Sequence, residues 1–502
     1  MKFLIDTNIF IPLEPTAPGD LTPRTSAAAE FVRIVQTTGH QVYVHPEQYR
    51  DIERDRNEER RRQRQVLIQK YAVLPTVPSI PAETRERIGS PRKGSNDWVD
   101  NQLIIALYRD AVAYIVTEDR GLRKKAARLE LQSRVLTIGE ALRLVQVFFD
   151  RPPTPPPAVK GQAAYELDHS DSFFDSFRTD YGTKEFDAWI TKCKREHRQA
   201  WIIEGRNTRY AAISIVKREE QEDLGLTGRI LKVCSFKVSP EYAGFHYAEL
   251  LLKTIFEYAI VNSFDNLFVD IYPKHDALIG ILEDHGFEQT AEKKRTGEIR
   301  LVKQLTFVAS DLETFGALEF NRRWGPYSFK LSNVSIHLVP IKPEFHRLLF
   351  PDAETELFPG FNPFGNSIRK AYLCGAPIRS LKPGDVLLFY SSRKKRAVTT
   401  TGVVEDTNVF QDADKIARFV GRRSIYSFEE IRELCKQDVL AILFRHSGVL
   451  SEPLHFNTLK QHSVLSGAPQ SIQSVPRESL KWLRKELTAR LPFYRSARSM
   501  RT

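Results

Sequence analysis

Residues 2–10 read KFLIDTNIF. Three consecutive apolar residues, Phe3, Leu4 and Ile5, run into the carboxylate of Asp6, and Thr7, Asn8 and a second apolar pair follow. The run is too short for a helix and suits a buried strand. An acid at the carboxyl end of such a strand lies where open α/β sheets gather their ligands. The first ten residues carry neither the long apolar stretch nor the cleavage site of a signal peptide. The expectation is therefore that no leader precedes them and that the protein is cytoplasmic.

Outward from this stretch, strand-like runs at 41–45 (QVYVH), 113–119 (AYIVTED) and 134–139 (RVLTIG) alternate with helical patterns at 26–36, 98–110 and 140–149. That alternation predicts an α/β domain with a mainly parallel sheet over 1–150. At 151–161 the chain reads RPPTPPPAVKG. Prolines at this density suit neither a helix nor a central strand and predict a stiff extended linker. Over 162–307, strand-like WIIEG, YAAISIVKRE, ILKVCSFKV and NLFVDIYP accompany the helical AELLLKTIFEYAIV and HDALIGILEDHG, an α+β pattern. From 308 to 502 short strands and turns dominate (SIHLVPIK, LKPGDVLLFYSS, AVTTTGVVED, DVLAILFR), as in a small β-barrel. The expected architecture is multidomain.

A chain of 502 residues suits about three cores. With 41% hydrophobic and 27% charged residues it reads as soluble and globular, and no stretch approaches the apolar length of a membrane span. The four cysteines, Cys193, Cys234, Cys374 and Cys435, form no CxxC pair, which argues against a disulfide scaffold or a structural zinc. The formal net charge of +11 is concentrated: 1–150 carries +3, 151–307 carries −2 and 308–502 carries +10. A basic last third is the footprint of a polyanion binder.

Asp6 is not alone. Glu47 follows VYVHPE, Asp100 opens the helical DNQLIIAL, and Asp119 follows the strand AYIVTED. Carboxylates converging at one sheet edge cannot all stay ionised without cations between them, and hard oxygen ligands suit Mg²⁺ or Mn²⁺. A single Asp after a strand is ordinarily a turn or helix-capping residue; four in order carry more weight. LIDTNIF, PEQYRDI, DNQLIIAL and VTEDRGL together resemble the PIN-domain nucleases over nearly all of the first domain. The resemblance implies a divalent-metal site on Asp6, Glu47, Asp100 and Asp119, with Asp97 a rival or additional ligand. It implies Asn8 and Thr117 as supporting polar groups, and hydrolysis of RNA phosphodiester bonds. The segment 50–70 reads as one long exposed helix, whose Arg60, Arg61, Arg62 and Arg64 are either a solvated face or a grip on RNA phosphates.

In the middle region, ILKVCSFKVSPEYAGFHYAELLLKTIFEYAIV gives a strand, a turn and an amphipathic helix. It resembles the cofactor-binding motif of GNAT-family N-acetyltransferases, which implies acetyl-CoA pyrophosphate held on backbone amides at the helix N-terminus. AGFHYA departs from the family's loop: Gly244 and Ala248 are acceptable, but His246 stands where the central glycine is usual. Gly244, His246 and Ala248 are the cofactor-binding candidates. In the last third, LKPGDVLLFYSS followed by AVTTTGVVED resembles ASCH/PUA-like barrels, which implies RNA binding. Its candidate phosphate contacts are Lys342, Arg369, Lys370 and the run Arg393, Lys394, Lys395, Arg396.

Two enzyme classes follow. The leading expectation is a metal-dependent endoribonuclease acting on tRNA or ribosomal RNA. The resemblance places such a protein among bacterial toxins and defence factors, with a neutralising antitoxin protein as partner and a homo-oligomer as one assembly. The alternative is an N-acetyltransferase acting on RNA or protein, with the first domain as a nucleic-acid-binding module. A non-catalytic RNA sensor is the third.

Overall fold

The computed structural model describes all residues except 77–78, 150–156, 206–207, 220–224, 243, 294–296, 354–362, 394 and 498–502. The chain forms two compact units. The first joins Met1–Pro152 to Phe410–Gln437; the second joins Pro153–Val409 to Asp438–Thr502. It is a multidomain, mixed α/β protein whose described residues form three sheets. Among the described residues no helix is long and apolar enough to cross a membrane.

The first unit is built on β1 (Lys2–Ile5), β2 (Gln41–Val44), β3 (Ala72–Val73), β4 (Tyr114–Val116) and β5 (Val135–Leu136). All pairings are parallel, in the order β3-β2-β1-β4-β5. β1 alternates as a doubly covered strand must. Leu4 packs with Leu103, Ile104, Leu107 and Leu122 on one face. Phe3 meets Phe31 at 5.4 Å and Tyr114 at 5.6 Å on the other. The chain crosses from one side of the sheet to the other between β1 and β4, so the carboxyl ends of these two strands flank a topological switch point.

Residues 410–437, placed by sequence in the C-terminal domain, complete this unit through helices Ala413–Val420 and Phe428–Leu434. The Tyr114 hydroxyl donates to the Ala417 carbonyl at 2.8 Å, and the Phe428 ring packs on His40 and Phe149. Arg418 pairs with Asp110 at 3.0 Å. These contacts gather at the amino ends of β1 and β4, away from Asp6.

The second unit holds two sheets. The first contains β6 (Val159–Ala163), β7 (Gln199–Ile203), β8 (Ala212–Glu219), β9 (Ile230–Val238), β10 (Asn266–Ile271), β11 (Glu288–Lys293) and β12 (Ile299–Gln304), in the order β11-β12-β10-β9-β8-β7-β6. Only β9 and β10 are parallel, paired over 230–233 and 266–269. Of the expected linker 151–161, residues 151–156 lie outside the described residues, while Val159, Lys160 and Gly161 belong to β6 and pair with β7. The three residues that follow the prolines into β6 can donate to a ladder, and a neighbouring strand takes them.

The second sheet contains β13 (Ile336–Ile341), β14 (Arg369–Cys374), β15 (Val386–Ser391), β16 (Ala397–Phe410), β17 (Val439–His455) and β18 (Gln473–Ser474). Its order is β14-β17-β16-β15-β13-β18, with β13 and β15 parallel. The expected barrel is thus a linear six-strand order with β14 and β18 at its ends. Tyr327 and Ile368 belong to the same apolar cluster as Leu251, Phe256 and Leu301, so the core continues across residue 308.

Candidate functional site: a carboxylate cluster at the switch point

Asp6 leaves β1 with its backbone N–H still bonded to the Val116 carbonyl at 3.0 Å, which fixes it against the end of β4. It caps the helix Thr7–Leu13: its Oδ1 accepts from the Thr7 N–H at 2.7 Å. Its Oδ2 accepts from Asn8 Nδ2 and from Thr117 Oγ1, both at 2.6 Å. Asn8 also bonds Thr117 Oγ1 at 3.0 Å and receives the Glu118 N–H at 3.0 Å. Asn8 and Thr117 therefore stitch the two strand ends together around one carboxylate. Asp6 is 7% exposed, and burial raises its pKa to about 6 against the opposing hydrogen bonds. The charges of Asp119 and Asp51 push in the same direction as burial.

Asp119 caps the helix Arg120–Ala127, its Oδ1 accepting from the Leu122 N–H at 2.8 Å. Asp100 stands one turn into the helix Asn96–Tyr108. Burial raises its pKa to about 7; Asp119 and Asp6 add to the rise, and Lys125, at 3.8 Å, opposes it. Three of the four expected acids thus share one electrostatic site.

Glu47 does not follow that expectation. It precedes the helix Gln48–Glu53 and its carboxylate pairs with Arg50 at 2.9 Å. The acid of this helix that bears on Asp6 is Asp51, whose Oδ2 receives the Thr7 hydroxyl at 3.3 Å and whose pKa burial raises. Asp51 is the residue the sequence reading missed. Asp97 faces outward, its side chain 68% exposed and bound to Lys125 at 3.0 Å. Among the described residues no three His, Cys, Asp or Glu side chains are gathered as a ready metal cage. Asp6 is buried and Asp51, Asp100 and Asp119 are half-buried, with the charges of Asp119 and Asp51 adding to the rise at Asp6 and those of Asp119 and Asp6 adding to the rise at Asp100.

The arginines of segment 50–70 are largely held by neighbouring acids. Residues 48–70 break into helices Gln48–Glu53 and Glu58–Leu67. Arg64 is buried between Asp20 and Asp55, both at 2.8 Å, and Arg60 is bound to the same Asp55. Arg61 donates to the Asp55 carbonyl, and only Arg62 stays largely exposed, paired with Glu58. Arg60, Arg61 and Arg64 thus brace the turn at Asp55, and Arg62 lies on the solvent face of its helix.

At the middle-domain loop, Gly244 and His246 both adopt positive φ, +81° and +57°, and His246 precedes the helix Tyr247–Val261. The first turn of that helix already holds an anion of its own. Glu249 accepts from His246 Nδ1 at 2.7 Å, from Ser367 Oγ at 2.9 Å and from the Ile368 N–H at 2.6 Å. Burial pushes its carboxyl up, but His246 and His285 together hold it well below the ordinary range. Asn366 donates to the Phe245 carbonyl. Of the three cofactor-binding candidates, His246 is therefore bound to an internal carboxylate in the first turn of this helix.

Of the C-terminal cations, Lys342, Arg393, Lys395 and Arg396 are exposed, and Lys394 lies outside the described residues. Arg369 is committed to Glu405 and Asp284, both at 2.6 Å. Lys370 is fully buried, donates to the Gly365 carbonyl and cannot meet RNA.

No family model matches the chain, and no curated protein matches it. Among solved structures it is similar to ASCH from Zymomonas mobilis at 15% identity and a TM-score of 0.25, over 32% of this chain and 98% of that one. It is similar to a putative GNAT-family acetyltransferase from Desulfovibrio desulfuricans at 15% identity and a TM-score of 0.23, over 29% and 96%. A third likeness, to the N-acyl amino acid synthase FeeM from uncultured soil microbes, has 16% identity and a TM-score of 0.24, over 30% and 92%.

Proposed function

We propose that the first unit is a divalent-metal-dependent endoribonuclease with its site at Asp6, Asp51, Asp100 and Asp119. The observation that carries this reading is the convergence of acids from four separate elements on one end of a parallel sheet, with two of them pushed up to about 6 and about 7. A structural cap needs one carboxylate; a group that raises its own members' pKa values costs stability and is retained where it has work to do. Asp6, Asp51, Asp100 and Asp119 would hold the ion, and Asn8 and Thr117 would fix Asp6. A bound Mg²⁺ or Mn²⁺ would supply charge neutralisation for a phosphodiester undergoing hydrolysis. The exposed Arg393, Lys395 and Arg396 turn is a place for RNA phosphates, in keeping with the basic C-terminal third. The target class we assign is structured RNA.

The test is cleavage of total RNA by the purified full chain with Mn²⁺, against the double variant Asp6→Asn, Asp119→Asn. We expect the variant to lose activity by two orders of magnitude or more. Cleavage that survives the double change overturns the reading. Glu47→Gln should leave activity nearly intact while Asp51→Asn removes most of it, which separates this site from the one the sequence suggested.

A second reading, acyl transfer by the middle region, is favoured by the parallel β9/β10 pair, which ends at Val233 and Val269 and lets the two strands diverge ahead of the helix Tyr247–Val261. It requires a pyrophosphate to share that helix N-terminus with Glu249. A rise in melting temperature with acetyl-CoA, removed by a bulky change at Gly244, would support it.

A further inference from the structure

The first sheet of the second unit carries a row of cations on a face whose other half is ordinary core. Along β8, Ile213, Ile215 and Lys217 share one face; along β9, Cys234 and Lys232 share it. The apolar half, with Ile213 and Ile215, is covered by Phe174, Phe186 and Ile190 from the helical segment before β7. Beyond the end of that helix at Arg195 the same face turns cationic.

The register places these charges side by side. Lys217 lies directly opposite Lys232. Lys232 lies opposite Phe268, and Arg300 opposite Asp270. Arg198 precedes Gln199, whose partner is Val216, so it falls beside Lys217. Like charges directly opposed across a ladder are destabilising. Three acids offset four cations: Glu196 meets Arg198 at 2.7 Å, Glu219 meets Lys217 at 3.0 Å, and Asp270 bridges Lys232 at 3.0 Å and Arg300 at 2.9 Å. The Phe268 ring lies within 5.2 Å of the Lys232 ammonium and 4.8 Å of the Arg300 guanidinium. Arg198 and Arg300 are held in place, their side chains 5% and 8% exposed. The four cations and Phe268, with Glu196, Glu219 and Arg218, line a cleft of about 770 Å³ that runs over the strand ends to Leu231 and Tyr258 of the opposite face. It opens at the start of β9, whereas the Glu249 site follows the end of that strand.

We propose that this cleft binds a phosphate ester of nucleotide size, either free or within a nucleic acid strand. Its volume is that of a small-ligand site. Lys217 on β8 and Lys232 on the adjacent β9 are one strand spacing of about 4.8 Å apart, and Arg300 on β12 reaches across β10 to the Asp270 carboxylate that Lys232 also holds, so donors from three strands are directed at one region, as the several oxygens of a phosphate require. Phe268 is buried, so the contact reads charge and not base identity. This site stands whether or not the first unit is a nuclease.

The test uses the full chain in EDTA, where cleavage does not intervene, with ATP, a 12-nucleotide single-stranded RNA and polyglutamate as probes. We expect ATP or the RNA to bind, and the double variant Lys217→Gln, Lys232→Gln to lose at least tenfold in affinity, while Lys217→Arg, Lys232→Arg retains it. Loss of ATP binding identifies a free nucleotide as the source; loss confined to the RNA identifies the nucleic acid backbone. Unchanged affinity for both probes overturns the proposal, as does polyglutamate binding as tightly as ATP and RNA with the same loss. The double variant removes an opposed like-charge pair but also a partner of the buried Asp270 carboxylate, so its melting curve is recorded alongside; if it does not fold, Lys217→Gln alone gives the same readout.

Discussion

Asp6 does two jobs that usually fall to different residues, capping a helix through Oδ1 and tying the ends of β1 and β4 together through Oδ2, which accepts from Asn8 and Thr117. Its neighbour Asp100 carries the larger stability consequence. An acid whose folded pKa is raised binds more protons folded than unfolded between the two values, so stability falls as pH rises through that window. For Asp100 the window runs from about 4 to about 7. Asp100→Asn should therefore raise stability at pH 8 by on the order of 2 kcal/mol and change little at pH 4. Melting curves at the two pH values check this, and Mn²⁺ should stabilise the parent at pH 8 but not the variant. The sequence made the cluster legible through Asp6, Asp100 and Asp119, because strand ends and a helix start were readable. It did not separate Glu47 from Asp51. The two are four residues apart, on one helix face, and periodicity does not say which turn points at the neighbouring strand end. The helix begins after Glu47, which turns to Arg50 and leaves Asp51 in line with Thr7.

At the scale of the element, the arginine-rich segment shows how charge patterning misleads. EERRRQRQ reads as a solvated helical face, yet Asp55 and Asn57 interrupt the helix and reorganise it. Asn57 caps the new start by accepting from the Arg60 N–H at 2.9 Å. The Arg60 side chain then holds Asp55 down at about 2 despite burial. This acid's folded pKa is depressed, so its contribution is present above about pH 4 and lost as pH falls toward 2. Arg64 closes the arrangement from inside. Removing one partner of a buried pair leaves an uncompensated charge, so Arg64→Ala should cost about 3 kcal/mol, whereas exposed Arg62→Ala should cost about 0.5 kcal/mol or less. Urea unfolding of the two variants makes the comparison, and neither should alter RNA affinity beyond its effect on folded protein. The strands of the second unit were legible for the opposite reason: β8, β9 and β10 are long apolar runs. Which half of their shared face a helix would cover was not, because coverage is set by where the helix before β7 ends.

At the scale of the whole chain, composition marked where charge accumulates but not where the compact units divide. Residue 308 looked like a boundary because the pattern changes there, yet Tyr327 and Ile368 are buried with the middle-region core. Residues 410–437 looked like part of the last domain because nothing in their composition marks an excursion. Their partners explain where they go. Tyr114 is fully buried in the first unit's central sheet, and a buried phenol needs an acceptor, which the Ala417 carbonyl supplies. The insertion also covers His40 and Phe149 with Phe428, and meets Glu140 through Arg422. The first unit is therefore incomplete without a segment encoded some 260 residues further on. Tyr114→Phe removes one hydrogen bond, while the Ala417 carbonyl keeps the Gly421 N–H, a loss of about 1 kcal/mol. Phe428→Ala removes a ring from a packed aromatic group and should cost about 3 kcal/mol. Both substitutions lie at the amino ends of the strands, away from Asp6 and Asp119, so kcat for any RNA cleavage should hold at low temperature while heat inactivation comes earlier. A fragment ending at residue 152 should show the sum of these losses, as lowered protection of the β1 and β4 amides from hydrogen exchange. If its β1 and β4 amides were as protected as those of the full chain, residues 410–437 would be a passenger on the first unit and not a part of its core.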